Sequence, residues 1–439
     1  MTNKRPDSRR KDETKNSGHL LPNERISLSG VPARQKASDE DLNSRYVKGD
    51  VRIVTESARY SLAGILAMLR EKVELDGTGG KTELRYKLDP EYQRRHRWSD
   101  VRKSLLIESF LMNVPVPPVF LYERDLARFE VMDGRQRLTA LSEFYDNKFS
   151  LVGLQYWSDL DGRTYSQLPL KVRDGIDRRY ISSIILLKET AATEEQATLL
   201  KKIVFERLNS GGVELGSQET RNAVYNGPLN QLCLSISENE FFRRMWGIPL
   251  DPMASTSEEA ELSEESESPD VAYDSTTAGR RMFEKMEDVE LALRFFAYRH
   301  VGLFKSGLNR ISDSLDRFLE RGNRFSQDVL DSYRTMFEST IAFLWSVLGS
   351  DAYCVIGHSK RPTKIVFDPI MFVANSSEVR VERDNLLVQK DLLQAELKAM
   401  YKKHHDLFSG RRTNFVDTQQ RNVVVKDAFA AAIAKVKRA

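Results

Sequence analysis

The chain has 439 residues, enough for two or three domains each with its own core. Its 67 Lys and Arg against 64 Asp and Glu leave a formal net charge of +3, so only local charge can point to a partner. Two cysteines, Cys233 and Cys354, exclude a disulfide framework and a cysteine-rich metal site, which fits a reducing cytoplasm. The N-terminus shows no apolar signal region, and no apolar run approaches the ~18 residues of a membrane span, so neither secretion nor membrane insertion is expected.

Residues 1–48 are rich in Lys, Arg, Asp, Ser and Asn and almost free of aromatics, and read as a disordered mixed-charge arm. Such an arm can touch nucleic acid; a solvated tail is the plainer reading. Residues 49–250 mix helical and strand patterns. In "ARYSLAGILAMLREKVEL", Leu62, Ile65, Leu66 and Leu69 fall at helical spacing. A glycine-rich turn, "GTGGK", leads into a short strand around Leu84–Leu88; it lacks the spacing of a Walker A loop. After "DPEYQRRHRW", Ser99 is placed to cap a helix over "DVRKSLLIESFLMN". "VPVPPVFLYE" reads as a proline-bounded strand, Asp125 as part of a turn, and Phe129–Met132 as the returning strand of a hairpin.

The hairpin runs into "FEVMDGRQRLTALSEFY". Asp133-Gly134 ends the alternation, and Leu138, Leu141, Phe144 and Tyr145 continue at helical spacing, so a helix starts near Arg135. Asp133 is a natural N-cap for it. Arg135 and Arg137 then stand in the first helical turn, where the helix dipole disfavours cations by ~0.3–1 kcal/mol each. Either they splay outward to surface acids, or an anion such as phosphate sits between them and the helix end. Two arginines and Gln136 around one Asp-Gly turn favour the anion.

Two further segments concentrate polar residues beyond what packing requires. One is Tyr92, Gln93, Arg94, Arg97 and Trp98, where Arg beside an aromatic can grip phosphate or stack on a base. The other is "VFERLNSGGVELGSQETRNAVYNG": one helix ends at Asn209-Ser210-Gly211-Gly212 and another begins near Ser217. Gly211-Gly212 serves either as a simple C-cap or as a backbone nest beside Asn209, with Glu219, Arg221 and Asn222 facing it.

These three segments together resemble the N-terminal domain of GmrSD-type restriction systems, a ParB/sulfiredoxin-like fold. "DGRQRLTAL" is similar to that family's DGQQR signature, "DPEYQRRHRW" to its upstream P-x-Y/F-Q-R…W element, and "FERLNSGGVELGSQETRNAVYNG" to its downstream F-x-R-[IL]-N…E-x-R-N-A segment, covering roughly residues 50–230. The resemblance implies a nucleotide-binding domain, NTP-hydrolysing in some members, that regulates attack on invading and often modified DNA. By position it implies a catalytic group of Asp133, Gln136 and Arg137, and nucleotide contacts from Arg94, Gly134, Arg135, Arg137, Asn209, Glu219, Arg221 and Asn222. Arg135 stands where the family usually has its first Gln, a departure that bears on nucleotide choice and turnover. The implied cofactors are an NTP and a divalent metal, Mg2+, with Asp133 as its ligand. Beside this, Arg suits phosphate through its forked donors, and an Asp in such a turn can hold a cation or orient water as readily as cap a helix.

Residues 251–275 carry the acidic run "STSEEAELSEESESPD" (Ser255–Asp270), read as a linker or insertion. Residues 276–439 read as amphipathic helices with a basic tail, among them "MFEKMEDVELALRFFAYRHVG", "DVLDSYRTMFESTIAFLWSVLG" and "SEVRVERDNLLVQKDLLQAELKAMYKKHH". The nuclease half common in the family needs a histidine-centred ββα-metal site. The six histidines (His19, His96, His300, His358, His404, His405) show no such spacing, and His404-His405 fits a helix C-terminus better. Arg411, Arg412 and Asn414 form a basic turn that could touch a DNA backbone.

The sequence therefore predicts an α+β protein: a ParB/sulfiredoxin-like N-terminal domain followed by a mostly α-helical C-terminal domain suited to docking or homo-oligomerisation. It is read as a cytoplasmic NTP-binding sensor or regulatory component of a restriction system, an NTPase in its most active form, working on DNA with a separate nuclease or effector subunit. Two alternatives stand beside it: a non-enzymatic DNA-binding adaptor, and a self-sufficient metal-dependent nuclease using the DGRQR site.

Overall fold

The computed structural model describes residues 21, 24, 38–48, 53–75, 80–88, 98–188, 193–209, 216–250, 275–300, 311–409 and 415–438. They fall into two compact units, Arg34–Val224 and Tyr225–Ala439, the second including Met1–Ala33. The division falls at Val224–Tyr225, ahead of the acidic run expected to separate the halves; that run lies outside the described residues. The mixed α+β class and the helical second half are as the sequence predicts.

The first unit opens with α1 (Asp39–Lys48), inside the stretch expected to be a disordered arm. Its start is fixed by a reciprocal cap: Asp41 N–H donates to Ser38 Oγ at 3.2 Å, and Ser38 N–H to the Asp41 carboxylate at 3.2 Å. Next come β1 (Thr55–Ser61), a 3-10 turn (Leu62–Gly64) and the short α2 (Ile65–Arg70). The single helix expected over this stretch is thus half strand. The helical spacing begins only at Leu62, and all seven residues of β1 pair antiparallel with β7 (Tyr180–Leu186).

The remaining elements are β2 (Lys72–Glu74), β3 (Thr82–Leu84), β4 (Tyr86–Lys87), α3 (Asp100–Leu111), β5 (Val119–Asp125), β6 (Arg128–Asp133), α4 (Arg135–Tyr145), α5 (Leu170–Asp177), α6 (Glu194–Asn209) and α7 (Ser217–Val224). Ser99 caps α3 as expected, accepting the Arg102 N–H at 3.4 Å. β5 and β6 form the expected antiparallel hairpin, but Asp125 ends β5 and the turn is Leu126-Ala127, with Ala127 at φ 53°. The sheet is mixed, in the order β1-β7-β5-β6-β4, with β7–β5 and β6–β4 parallel; β2 and β3 pair separately. Its core joins Val119, Leu121 and Val131 from the strands to Ile107, Phe110, Leu138, Leu141 and Phe144 from α3 and α4.

The second unit holds α8 (Pro228–Ile236), α9 (Glu240–Trp246), α10 (Thr277–Glu284), α11 (Glu287–Tyr298), α12 (Ile311–Gly322), α13 (Gln327–Leu348), α14 (Lys364–Ala374), α15 (Ser377–Val381), α16 (Arg383–Val388), α17 (Lys390–Lys403), α18 (His405–Phe408) and α19 (Phe415–Val436). Two stretches expected as single helices are interrupted. α10 and α11 part at Met286, a buried residue at φ 55°, where burial of the side chain offsets the backbone strain. The long charged stretch divides into α15, α16 and α17. A buried ion pair, Arg294 Nε to Asp368 Oδ1 at 3.1 Å, ties α11 to α14, and the Tyr298 hydroxyl accepts from Arg294 at 2.9 Å. No helix among the described residues is long and apolar enough to cross a membrane.

Candidate functional site

The site is built where β6 passes into α4. Asp133 is still paired with Phe120 in the sheet, so its side chain leaves the chain one residue too early to cap the helix. The N-cap is Gly134, at φ 91° and with no side-chain cap, which corrects the expectation for Asp133. Glycine is required there twice over. Its φ lies in the left-handed region, and a Cβ would stand 2.9 Å from Val119 Cβ at the start of β5. The first intrahelical bond runs from Leu138 N–H to Gly134 C=O at 3.0 Å, which sets the start of α4 at Arg135. That turn contains no acidic residue.

Arg137 is not splayed toward solvent. Its Nη2 lies 2.7 Å from Asp133 Oδ2, and its Nη1 donates to the carbonyls of Pro117 and, at 3.2 Å, Pro118. The side chain is 12% exposed while that of Asp133 is 49% exposed, so the pair itself contributes only ~0.2–1 kcal/mol. For Arg137 the negative partner that the helix dipole calls for is supplied by the chain itself. Arg135 and Gln136 are half-buried in the same turn, two residues and one residue nearer the helix start than Arg137.

Glu130, on β6, is anchored from outside the sheet: Lys201 of α6 reaches its carboxylate at 2.8 Å, both side chains being largely buried, and lies 5.4 Å from the centre of the Tyr122 ring. No local pattern points to this pair, because the two residues are 71 positions apart. α6 ends at Asn209 and α7 begins at Ser217, as expected, but the Asn209 side chain and Gly211-Gly212 lie outside the described residues. Within α7, Glu219 accepts the Gly216 N–H at 2.6 Å, securing the helix start. Arg221 and Asn222 are buried and joined through Gln218, which accepts from Arg221 Nη1 at 3.2 Å and donates to Asn222 Oδ1 at 2.8 Å. Gln218 was missed in the sequence; its i,i+4 spacing to Asn222 was the available signal.

The structure thus joins Asp133 and Arg137 as one bonded pair beside Gly134, and Gln218, Arg221 and Asn222 as a second bonded group. Tyr92, Gln93, Arg94 and Arg97 lie outside the described residues; Trp98 carries the Arg102 guanidinium 4.8 Å from its ring centre. Among the described residues no group of three or more His, Cys, Asp or Glu side chains is placed to hold a metal ion. His358 and His405 face each other with ring centres 5.1 Å apart. Arg411, Arg412 and Asn414 are outside the described residues. In comparisons with known proteins, residues 78–226 match the family of the GmrSD restriction endonuclease, N-terminal domain, a span that includes the whole β5–β6–α4 site and α7. No curated protein and no solved structure matched the chain.

Proposed function

We propose that residues 78–226, which match the GmrSD restriction endonuclease N-terminal domain family, bind the phosphates of a nucleoside triphosphate at the start of α4, in a chain that senses or regulates within a restriction system directed at foreign or modified DNA. One observation carries this reading. α4 begins behind a buried glycine with no side-chain cap and no acid in its first turn, while Arg135 and Gln136 stand there. Amides and dipole at such an end favour an anion, and Arg offers it a forked pair of donors. Arg94 and the α6–α7 segment would complete the contacts.

Mg2+ suits an NTP because it binds through one or two carboxylates and takes its other ligands from phosphate oxygens and water. Asp133 is the carboxylate available at this turn. Its half-exposed oxygens face Arg137, which would position the carboxylate. Hydrolysis would require Asp133 or Gln136 to orient water against the terminal phosphate. A non-enzymatic DNA-binding adaptor is the second reading, favoured by the ion pair that already engages Asp133. In either case a separate nuclease or effector subunit is the proposed partner.

The test is a titration of the full chain with each NTP, with and without Mg2+, followed by phosphate release. Arg135→Ala should weaken nucleotide affinity by ~10-fold or more, as loss of a charge-assisted hydrogen bond does. Absence of binding for every NTP, or equal affinity in the variant, would overturn the phosphate site. Binding without phosphate release selects the adaptor. DNA incubated with the chain, NTP and Mg2+ should stay intact until a nuclease partner is added.

A further inference from the structure

Glu24 stands in the polar N-terminal stretch, yet its side chain is 0% exposed and lies in the helical unit. The Glu24 N–H donates to the Leu21 carbonyl at 3.0 Å, and the Leu21 N–H returns a bond to Glu24 Oε2 at 2.8 Å. The carboxylate meets three side chains of the helical unit. His300 Nε2 is 2.6 Å from Oε1, the Tyr333 hydroxyl donates to the same oxygen, and Arg299 Nη2 is 3.4 Å from Oε2.

These donors are held by aromatic walls. Tyr333 stacks on Phe296 with ring centres 4.4 Å apart, His300 stacks on Phe318 at 5.5 Å, and the Arg299 guanidinium lies 5.3 Å from the Tyr333 ring centre. An isolated carboxylate loses several kcal/mol on leaving water, so it is found inside a protein where charge and donors await it. Here Arg299 and His300 follow α11, and Tyr333 belongs to α13, each fixed by its own helix packing. Nothing in that arrangement needs Glu24 to be joined covalently to the socket.

We propose that Arg299, His300 and Tyr333 form a carboxylate-recognition socket for an acidic side chain, and that Glu24 occupies it in cis as a detachable latch. The chain ahead of the α/β unit is thereby clipped to the helical unit that follows it. The ligand class is an acidic peptide, and the occupant is the chain's own Glu24.

The full-length chain supplies the test. Arg25 follows the latch directly, and trypsin needs an extended segment on both sides of its cut. Cleavage after Arg25 should be at least ~10-fold faster in Glu24→Ala than in the native chain, because removing one partner of a buried charge cluster shifts local opening by more than that factor. A synthetic peptide of residues 15–30 should bind the Glu24→Ala chain and raise its Tm; the same peptide carrying Glu24→Ala should do neither. If Glu24→Ala does not fold, Glu24→Gln, which keeps the shape and loses the charge, carries the same cleavage readout. Equal cleavage in native and variant chains, no binding of the peptide, or equal binding of both peptides would each overturn the socket.

Discussion

Replacing Arg137 by Ala tests whether this residue is a free phosphate ligand or a strut. Pro117 and Pro118, just ahead of β5, present backbone carbonyls that need a donor. Arg137 is that donor, reaching both carbonyls with one nitrogen and Asp133 with another. The half-exposed ion pair is worth ~0.2–1 kcal/mol. Leaving the two acceptors without their charged donor costs ~1–3 kcal/mol more. Arg137→Ala should therefore destabilise the α/β unit by ~1–4 kcal/mol. Arg137→Lys should fall between, since a single ammonium cannot span the same three acceptors. Urea unfolding gives the free energy, and hydrogen exchange at the amides of β5 and α4 locates the loss. A change under ~0.5 kcal/mol, the range of ordinary surface substitutions, would refute the strut.

Gly134→Ala should cost ~2–5 kcal/mol in the same unfolding assay, combining left-handed backbone strain with overpacking against Val119. Glu108 is 2% exposed and accepts the backbone N–H groups of Gln155, Tyr156 and Trp157 at 3.2, 2.7 and 2.9 Å. Glu108→Ala should speed hydrogen exchange at those three amides and cost ~2–4 kcal/mol; unchanged exchange would show that the loop holds itself. Burial alone would raise the Glu24 carboxyl, but the hydrogen bond and charge of His300, with the charge of Arg299, bring it down from 4.5 to about 2. Its stabilisation of the helical unit is then complete above pH 4.5 and is lost as the pH falls through about 2. The unfolding free energies of native protein and Glu24→Gln should accordingly converge on acidification, and a constant difference would exclude the linkage.

Much of this molecule is written in short stretches of chain. The alternation before Asp133 and the helical spacing after it placed β6 and α4, Ser99 set the start of α3, and Asn209 and Ser217 bounded the gap between α6 and α7. Such features depend on groups within a turn or two of each other: capping side chains, apolar repeats, and residues that refuse a helix. The motif DGRQR was visible for the same reason, as was its likeness to a family. Folding decided which charge meets which. Asp133 looked like a cap because an Asp before a helix usually is one; the sheet held it one residue back and gave it to Arg137, whose other acceptors are two proline carbonyls just ahead of β5. β1 was hidden because its partner, β7, lies far along the chain, and strand pairing is settled by the distant ladder more than by local propensity. Glu24 is the extreme case. In the sequence it is one more charged residue in a polar stretch, and only the assembled α11 and α13, with their aromatic walls, supply the cations and hydroxyl that allow a carboxylate to leave water.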